Sequence, residues 1–312
     1  MSPSGSALAD VVAIPVTPFD GNRVDQATFV RLLERLLDAG VHVVTPNGNT
    51  SEFYALTARE RRELLELSGR TVADRATLVA GIGLDVQTAV EEGRLARSAG
   101  ATMAMVHQPL HPYISSQGWI DYHAAIAGEL GELGIVLYVK TPHVTGEMIR
   151  ELGERCPNVV GVKYAVADPV AFARTREAAG ADRFTWVAGL AEPYALSYAL
   201  HGAAGFTSGL VTVNPRISLD LRDALRAGDN VTAAELINRI SRFEELRARN
   251  NSAHNVSAVK EALAQLGLCS REVRAPSSQL TEAERHEVRE VLADWGMAGE
   301  LVRTPVEATA AA

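Results

Sequence analysis

Short apolar runs alternate with amphipathic stretches along the first two thirds of the chain. Val11 to Val16 is apolar and closes at Thr17-Pro18-Phe19-Asp20-Gly21, where Pro and Gly mark a loop. From Val24 to Ala39 the apolar residues fall at helical spacing, with Phe29, Leu32, Leu33, Leu36 and Leu37 on one face and Gly40 as the stop. A second apolar run, Val41 to Thr45, leads into the polar loop Pro46 to Glu52. Thr57 and Glu60 have the spacing of a capping box, which opens a helix to Val72. The same alternation predicts strands over 77–82, 102–107, 135–139, 159–163, 184–188 and 205–208. Helices are expected between them over 86–98, 119–133, 146–155, 169–178 and 193–200. After Pro215 the strands stop, and helices are expected over 217–226, 231–247, 256–267 and 281–296.

Near-continuous apolar strands that alternate with amphipathic helices imply a parallel sheet covered by helices. Eight such repeats favour closure into an α/β fold of the (β/α)₈ TIM-barrel type, and 312 residues suit one barrel with an addition. The expected division is a barrel carrying the active site over 1–228 and a C-terminal helical extension over 229–300. A small-residue tail over 301–312 is expected to be disordered. An open doubly wound sheet is the alternative. No Gly-x-Gly-x-x-Gly follows the first strand, so a dinucleotide site lacks support.

Composition narrows the function classes. A hydrophobic share of 47% with 22% charged residues describes a globular protein with a large core. The net charge of −8 and the lack of a basic cluster argue against a nucleic-acid-binding surface. Cys156 and Cys269 have neither metal-type spacing nor a disulfide framework, which fits a reducing cytoplasm. Met1 to Asp10 does not read as a signal peptide, and no run reaches the roughly 18 apolar residues of a membrane span.

A barrel of this kind does its chemistry at the C-terminal ends of its strands. Strand two is followed by Asn49, Thr50, Ser51 and Glu52, and strand four by His107 and His111. Strand five ends in Tyr138 and Lys140, strand six in Lys163, strand seven in Gly189 and Glu192, and strand eight in Thr207 and Ser208. The chain writes its positive charges as arginine, with three lysines in 30 basic residues, yet a lysine closes the apolar run Val159 to Lys163. Arginine stays protonated, whereas a desolvated lysine can lose its proton and attack a carbonyl. Tyr138 and Lys140 share one face of strand five by the period of two. A phenol and two amines around one barrel mouth suit carbonyl chemistry: one amine forms an imine, the phenol relays protons, and the second cation lowers the first amine's pKa or pairs with a carboxylate.

Each residue also has a plainer reading. Lys163 could be an ordinary strand-end charge, Tyr138 a packed residue and Lys140 a solvent-facing one. Thr50 and Ser51 could serve only as turn residues. His107, His111, His123 and His143 could be read as a metal site, but Pro109 interrupts the only pair at helical spacing, so no metal is expected.

Several motifs then occur in a telling order: Thr17-Pro18-Phe19, Gly48-Asn49-Thr50-Ser51-Glu52, Tyr138 after an apolar strand, Gly161-Val162-Lys163, Gly202 to Gly209, Val259-Lys260 and Val273-Arg274-Ala275-Pro276. In this order and spacing the chain resembles the dihydrodipicolinate synthase / N-acetylneuraminate lyase family of class I aldolases and dehydratases, over about residues 10–297. The resemblance implies a TIM barrel with a helical extension, assembled as a homotetramer of tight dimers, and no cofactor. It implies that Lys163 forms the imine with a 2-keto acid, that Tyr138 shuttles the proton, and that Thr50 with its loop N–H groups holds the substrate carboxylate. Asn49 and Ser51 line the same loop, and Gly189 and Ser208 are further expected substrate contacts.

The departures from the family pattern bear on the substrate. Asn49 and Ser51 stand where the loop commonly has Thr and Gly. The segment Tyr138 to Gly146 is about one residue longer than in dihydrodipicolinate synthases and lacks their arginine for the distal carboxylate. The tyrosine those synthases donate across the dimer aligns near His111, with Tyr113 two residues on. Glu52-Phe53-Tyr54-Ala55-Leu56 resembles the Glu-Phe-Phe-Ser-Leu form of 5-dehydro-4-deoxyglucarate dehydratases. The expectation is a Schiff-base lyase that cleaves or dehydrates a 2-keto-3-deoxy sugar acid, with Lys140 and His111 at the substrate's far end. The alternatives are a pyruvate-dependent aldolase or synthase of the dihydrodipicolinate synthase or N-acetylneuraminate lyase kind, and a non-catalytic 2-keto-acid-binding barrel.

Overall fold

The computed structural model describes residues 5–297 and residue 299. The eight predicted strands close into one parallel barrel. They are β1 (Val11–Ala13), β2 (Val43–Val44), β3 (Thr77–Ile82), β4 (Met103–Val106), β5 (Gly134–Val139), β6 (Val159–Tyr164), β7 (Thr185–Ala188) and β8 (Gly205–Ser208). Each pairs with its successor, and β8 returns to β1 through Val11 opposite Phe206. A short hairpin, Phe19–Asp20 with Arg23–Val24, follows β1. The helices between strands are α1 (Gln26–Asp38), α2 (Ala58–Val72), α3 (Val86–Ser98), α4 (Ser116–Glu129), α5 (Gly146–Arg155), α6 (Pro169–Ala179) and α7 (Glu192–Ala199). After β8 come α8 (Pro215–Ala227), α9 (Asn230–Ser252), α10 (Ser257–Gln265) and α11 (Glu282–Asp294).

The elements follow their local signals. Thr57 accepts from the Glu60 backbone while the Glu60 carboxylate accepts from the Thr57 N–H, so the capping box is formed in full. Helix α4 starts three residues earlier than its apolar spacing predicts, because the Ser115 side chain caps the Gly118 N–H. The first strand is shorter than its apolar run: only Val11–Ala13 is paired as strand, although the Ile14 N–H still reaches Ser208 O at 2.8 Å. Helix α9 leaves helical geometry at Arg249, and Asn250 and Asn251 adopt left-handed conformations that asparagine tolerates. The tail expected over 301–312 lies outside the described residues.

Strand parity sorts the core into two shells, except in β6, where the register against β5 shifts between Ile135 and Val136 and Val160 and Val162 face opposite ways. Val12, Val43, Val79, Met105, Val136, Val160 and Val187 fill the barrel interior. Val11, Val44, Ala80, Val106, Leu137 and Val162 face the helices. Burying each larger aliphatic side chain contributes about 1.5–3 kcal/mol. Leu8, from the turn before β1, joins the interior cluster. Gly161 is required there, since a Cβ at that position would lie 2.6 Å from Leu8 Cδ1. A second apolar cluster joins the end of the barrel to the extension through Leu210, Ile217, Phe243, Val259, Leu263 and Leu292.

Buried ion pairs fasten the extension to the barrel. Lys260 of α10 donates to Glu52 Oε2 at 2.5 Å and lies 4.0 Å from the centre of the Phe19 ring. Arg274 forks onto both Glu60 oxygens at 2.7 and 2.8 Å. Such pairs fix one arrangement more than they add stability, because both ions are desolvated. Among the described residues no helix is long and apolar enough to cross a membrane.

Candidate active site

Tyr138 on β5 is paired in register with Lys163 on β6, and both side chains point into the barrel mouth. Lys163 Nζ sits 4.3 Å from the centre of the Tyr138 ring. The amine is buried at 5% exposure and meets no carboxylate within ion-pair distance among the described residues. Burial first, and the charge of Lys140 second, pull its pKa down to about 7. A substantial fraction of the amine is therefore neutral and nucleophilic near neutral pH. Burial pushes the Tyr138 phenol above its usual range, so it stays protonated. The Asn49 amide donates to the phenol oxygen at 3.1 Å, which leaves the phenolic O–H free to donate into the cavity.

These residues open onto a cavity of about 430 Å³, a normal size for a small-molecule site. Asn49, Thr50, Tyr138, Lys140, Lys163, Gly189 and Thr207 line it. Two backbone features shape its rim. Glu52 takes a left-handed conformation, φ 61° and ψ 37°, at the end of the Thr50 loop, and its carboxylate is held by Lys260 and by the Arg274 N–H at 2.9 Å. Ala191 takes φ 62° and ψ −160°, a region glycine ordinarily occupies, next to Gly189.

Three of the expected contacts lie elsewhere. Ser51 is buried away from the cavity; its hydroxyl donates to Pro15 O at 2.6 Å and accepts from the Gly48 N–H, so it staples the loop. Ser208 has the parity of the helix-facing Phe206, so it points behind the cavity wall and donates to Glu192 Oε1 at 2.5 Å. Ser218 donates to the same oxygen at 2.6 Å. Thr207, of opposite parity, is the β8 residue that faces the cavity. His111 is exposed and accepts from the Tyr113 N–H at 3.1 Å. It belongs to a neighbouring cavity of about 460 Å³, which it shares with His143, Thr141 and Lys140. Lys140 is thus the residue common to both cavities.

Other groups were not expected from the sequence. Glu244, Arg247 and Ala248 of α9, with Asn255 beyond it, roof the cavity, so the extension is part of its wall. Arg247 is buried and donates to Glu244 Oε1 at 2.7 Å and to Asn255 Oδ1 at 2.6 Å. Behind the wall, burial and then the charge of Glu244 push the Glu192 carboxyl up to about 7. The one available signal was the Glu244-x-x-Arg247 spacing on the face of α9 that also carries Phe243. His107 is a core residue: it stacks on Phe53 at 4.2 Å, its Nε2 bonds Asn47 O at 2.8 Å, and burial pushes its pKa down to about 3. Among the described residues no three metal-type side chains converge.

The chain matches the model of the Dihydrodipicolinate synthetase family over residues 7–294. It is 33% identical over 286 residues to the 4-hydroxy-tetrahydrodipicolinate synthase of Phenylobacterium zucineum, covering 90% of this chain and 95% of that one. It is 29% identical over 291 residues to a protein of Pseudomonas fluorescens described as "Probable 5-dehydro-4-deoxyglucarate dehydratase", covering 92% and 95%. Among solved structures, dihydrodipicolinate synthase from Oceanobacillus iheyensis superposes with a TM-score of 0.90 at 36% identity, over 94% of this chain and 98% of that one.

Proposed function

This chain belongs to the dihydrodipicolinate synthetase family, and from that premise we propose that it cleaves or dehydrates a 2-keto-3-deoxy sugar acid through an imine on Lys163. Members of the family are Schiff-base lyases, and this chain is one. The observation that carries the residue assignment is the Lys163 amine, buried without a carboxylate partner against the face of Tyr138.

The neutral Nζ attacks C2 of the keto acid, and the carbinolamine loses water to give a protonated imine. Tyr138 is placed to pass protons to and from that carbon's oxygen. The iminium then acts as an electron sink. In dehydration a C3 proton leaves, the electron pair enters the imine as an enamine, and the C4 hydroxyl departs as water. In aldol cleavage the C4 hydroxyl loses its proton and the C3–C4 bond breaks, leaving a pyruvate enamine and an aldehyde. Water regenerates the amine in both. Thr50 and the N–H groups of its loop hold the carboxylate, with Asn49 fixing Tyr138. Lys140, exposed at the cavity rim, meets the polar far end.

A sugar acid is favoured by the polar rim around Lys140 and by the absence of an arginine from Tyr138 to Gly146. Relatives described as 5-dehydro-4-deoxyglucarate dehydratases support it. The synthase relative at 33% identity supports the second reading, condensation of pyruvate with an aldehyde. We infer further that the chain works in the cytoplasm as a homotetramer built from dimers. Its two cysteines are free, and Leu110, Tyr113 and Ile114 present an exposed apolar patch.

Incubation with pyruvate and with 2-keto-3-deoxy acids, borohydride reduction and intact-mass measurement test the assignment. A covalent gain that disappears in Lys163→Ala is expected. A gain that persists in Lys163→Ala would overturn it. A panel scored separately for pyruvate release and for water loss then distinguishes aldolase from dehydratase.

A further inference from the structure

We propose that Arg247, carried by α9 of the helical extension, binds the carboxylate of the 2-keto acid together with Thr50. The inference rests on the imine reading above and adds a substrate-binding residue to it.

The guanidinium is buried in the cavity roof and held by three hydrogen bonds. Nη1 donates to Glu244 Oε1 at 2.7 Å, Nη2 to Asn255 Oδ1 at 2.6 Å and Nε to Asn255 O at 3.3 Å. A guanidinium has five N–H groups. One N–H on each terminal nitrogen is thus unspent among the described residues, and those two nitrogens form the fork that takes a carboxylate in bidentate fashion. The left-handed turn at Asn250 and Asn251 lies between Arg247 and Asn255 and brings Asn255 back to the guanidinium. Much of the entropy cost of orienting Arg247 is therefore met before substrate arrives.

Its location gives the ligand. The point where a Cβ on Gly209 would stand is 3.0 Å from Arg247 Nη2, 3.0 Å from Thr50 Cγ2 and 3.4 Å from Thr50 Oγ1. Gly209 thus packs against both the guanidinium and the threonine. The cationic fork and the loop expected to hold the carboxylate therefore face the same side of one cavity. Glu244 and Glu245 also line that cavity, so an incoming anion needs a cation near Thr50. Lys163 is committed to the imine, and Lys140 stands on another wall, at the end of β5. Substrate binding leaves the Arg247–Glu244 bond intact, because that bond uses only one N–H.

The test separates carboxylate recognition from general support of the site. Imine adducts are trapped by borohydride with pyruvate and with hydroxyacetone, a neutral ketone, and the concentration giving half-maximal trapping is measured. In Arg247→Gln that concentration is expected to rise about tenfold or more for pyruvate, the scale of a lost charged hydrogen-bond pair. For hydroxyacetone it stays within about twofold, since that ketone offers the fork no carboxylate. Arg247→Lys, which keeps the cation and guards against a folding defect, falls between wild type and Gln for pyruvate alone. Equal weakening of both ketones, or of neither, overturns the inference while leaving the imine intact. Failure of the wild type to trap pyruvate at all overturns the imine reading and this inference with it.

Discussion

Lys140→Met asks whether a cation at the rim sets the reactivity of the amine below it. Lys163 is held at about 7 by burial and then by Lys140. The head of Lys140 is in solvent, so its field is partly screened. A like charge in that position is worth about 1–1.5 kcal/mol, or roughly one pKa unit. Removing it leaves burial acting alone, and the Lys163 pKa rises to the region of about 8. At pH 7 the neutral fraction falls from about one half to about one tenth, so imine formation slows by roughly fivefold. Above about pH 9 both proteins carry a neutral amine and their rates converge. The assay is the initial rate of borohydride-trapped adduct with plain pyruvate from pH 6 to 10, with Lys140→Arg as the control that keeps the charge. An unshifted pH profile in Lys140→Met, with only longer sugar acids weakened, would refute the electrostatic account and leave Lys140 a recognition residue.

Three further outcomes follow from the same structure. Lys163→Met should stabilise the protein more at pH 7 than at pH 9. The folded chain holds this proton only up to about 7, whereas the unfolded chain holds it to about 10.4, so wild-type stability climbs across that window and the variant's does not. Urea midpoints at the two pH values should differ by the equivalent of about 2 kcal/mol, and a pH-independent gain would contradict the buried-amine account. Lys260→Met leaves the buried Glu52 carboxylate without its cation, held only by the Arg274 N–H, and should cost about 3–5 kcal/mol in chemical denaturation; a cost below about 1 kcal/mol would mean that water reaches Glu52. Ala191→Gly relieves the positive φ at the cavity rim and should raise stability by about 1 kcal/mol, whereas a loss would show that the methyl's packing outweighs the strain.

The barrel was legible because each strand and helix carries its own period and stop signal, and eight repeats leave few ways to close a sheet. That Tyr138 and Lys163 lie on neighbouring strands followed from strand order, but their facing depends on the register shift within β6, which simple alternation does not reveal. Parity also explains the error at Ser208. It lies two residues from Phe206, which packs against helices, so the alternation itself points to Thr207 as the inward residue. Ser51 and His111 sit in turns, where no period fixes side-chain direction; a backbone carbonyl claims one and solvent the other. Arg247 was the least legible. The apolar face of α9, with Ile240, Phe243 and Leu246, marks it as a docking helix, but which part of the barrel it covers, and so what Arg247 faces, is set only by tertiary packing.

The Glu52–Lys260 pair joins residues 208 positions apart. During synthesis the strands carrying Tyr138 and Lys163 leave the ribosome well before Lys260 does, and Glu52 must wait for it as a carboxylate beside an unfinished barrel. The loop that ends at Glu52 gains this anchor only when the last third of the chain arrives and docks. Any product truncated ahead of α10 would carry Lys163 and the roof residues of α9 but not the lysine that anchors Glu52. Order of manufacture thereby ties the loop to completion of the chain: Glu52 gains its buried cation only after every strand of the barrel has been made.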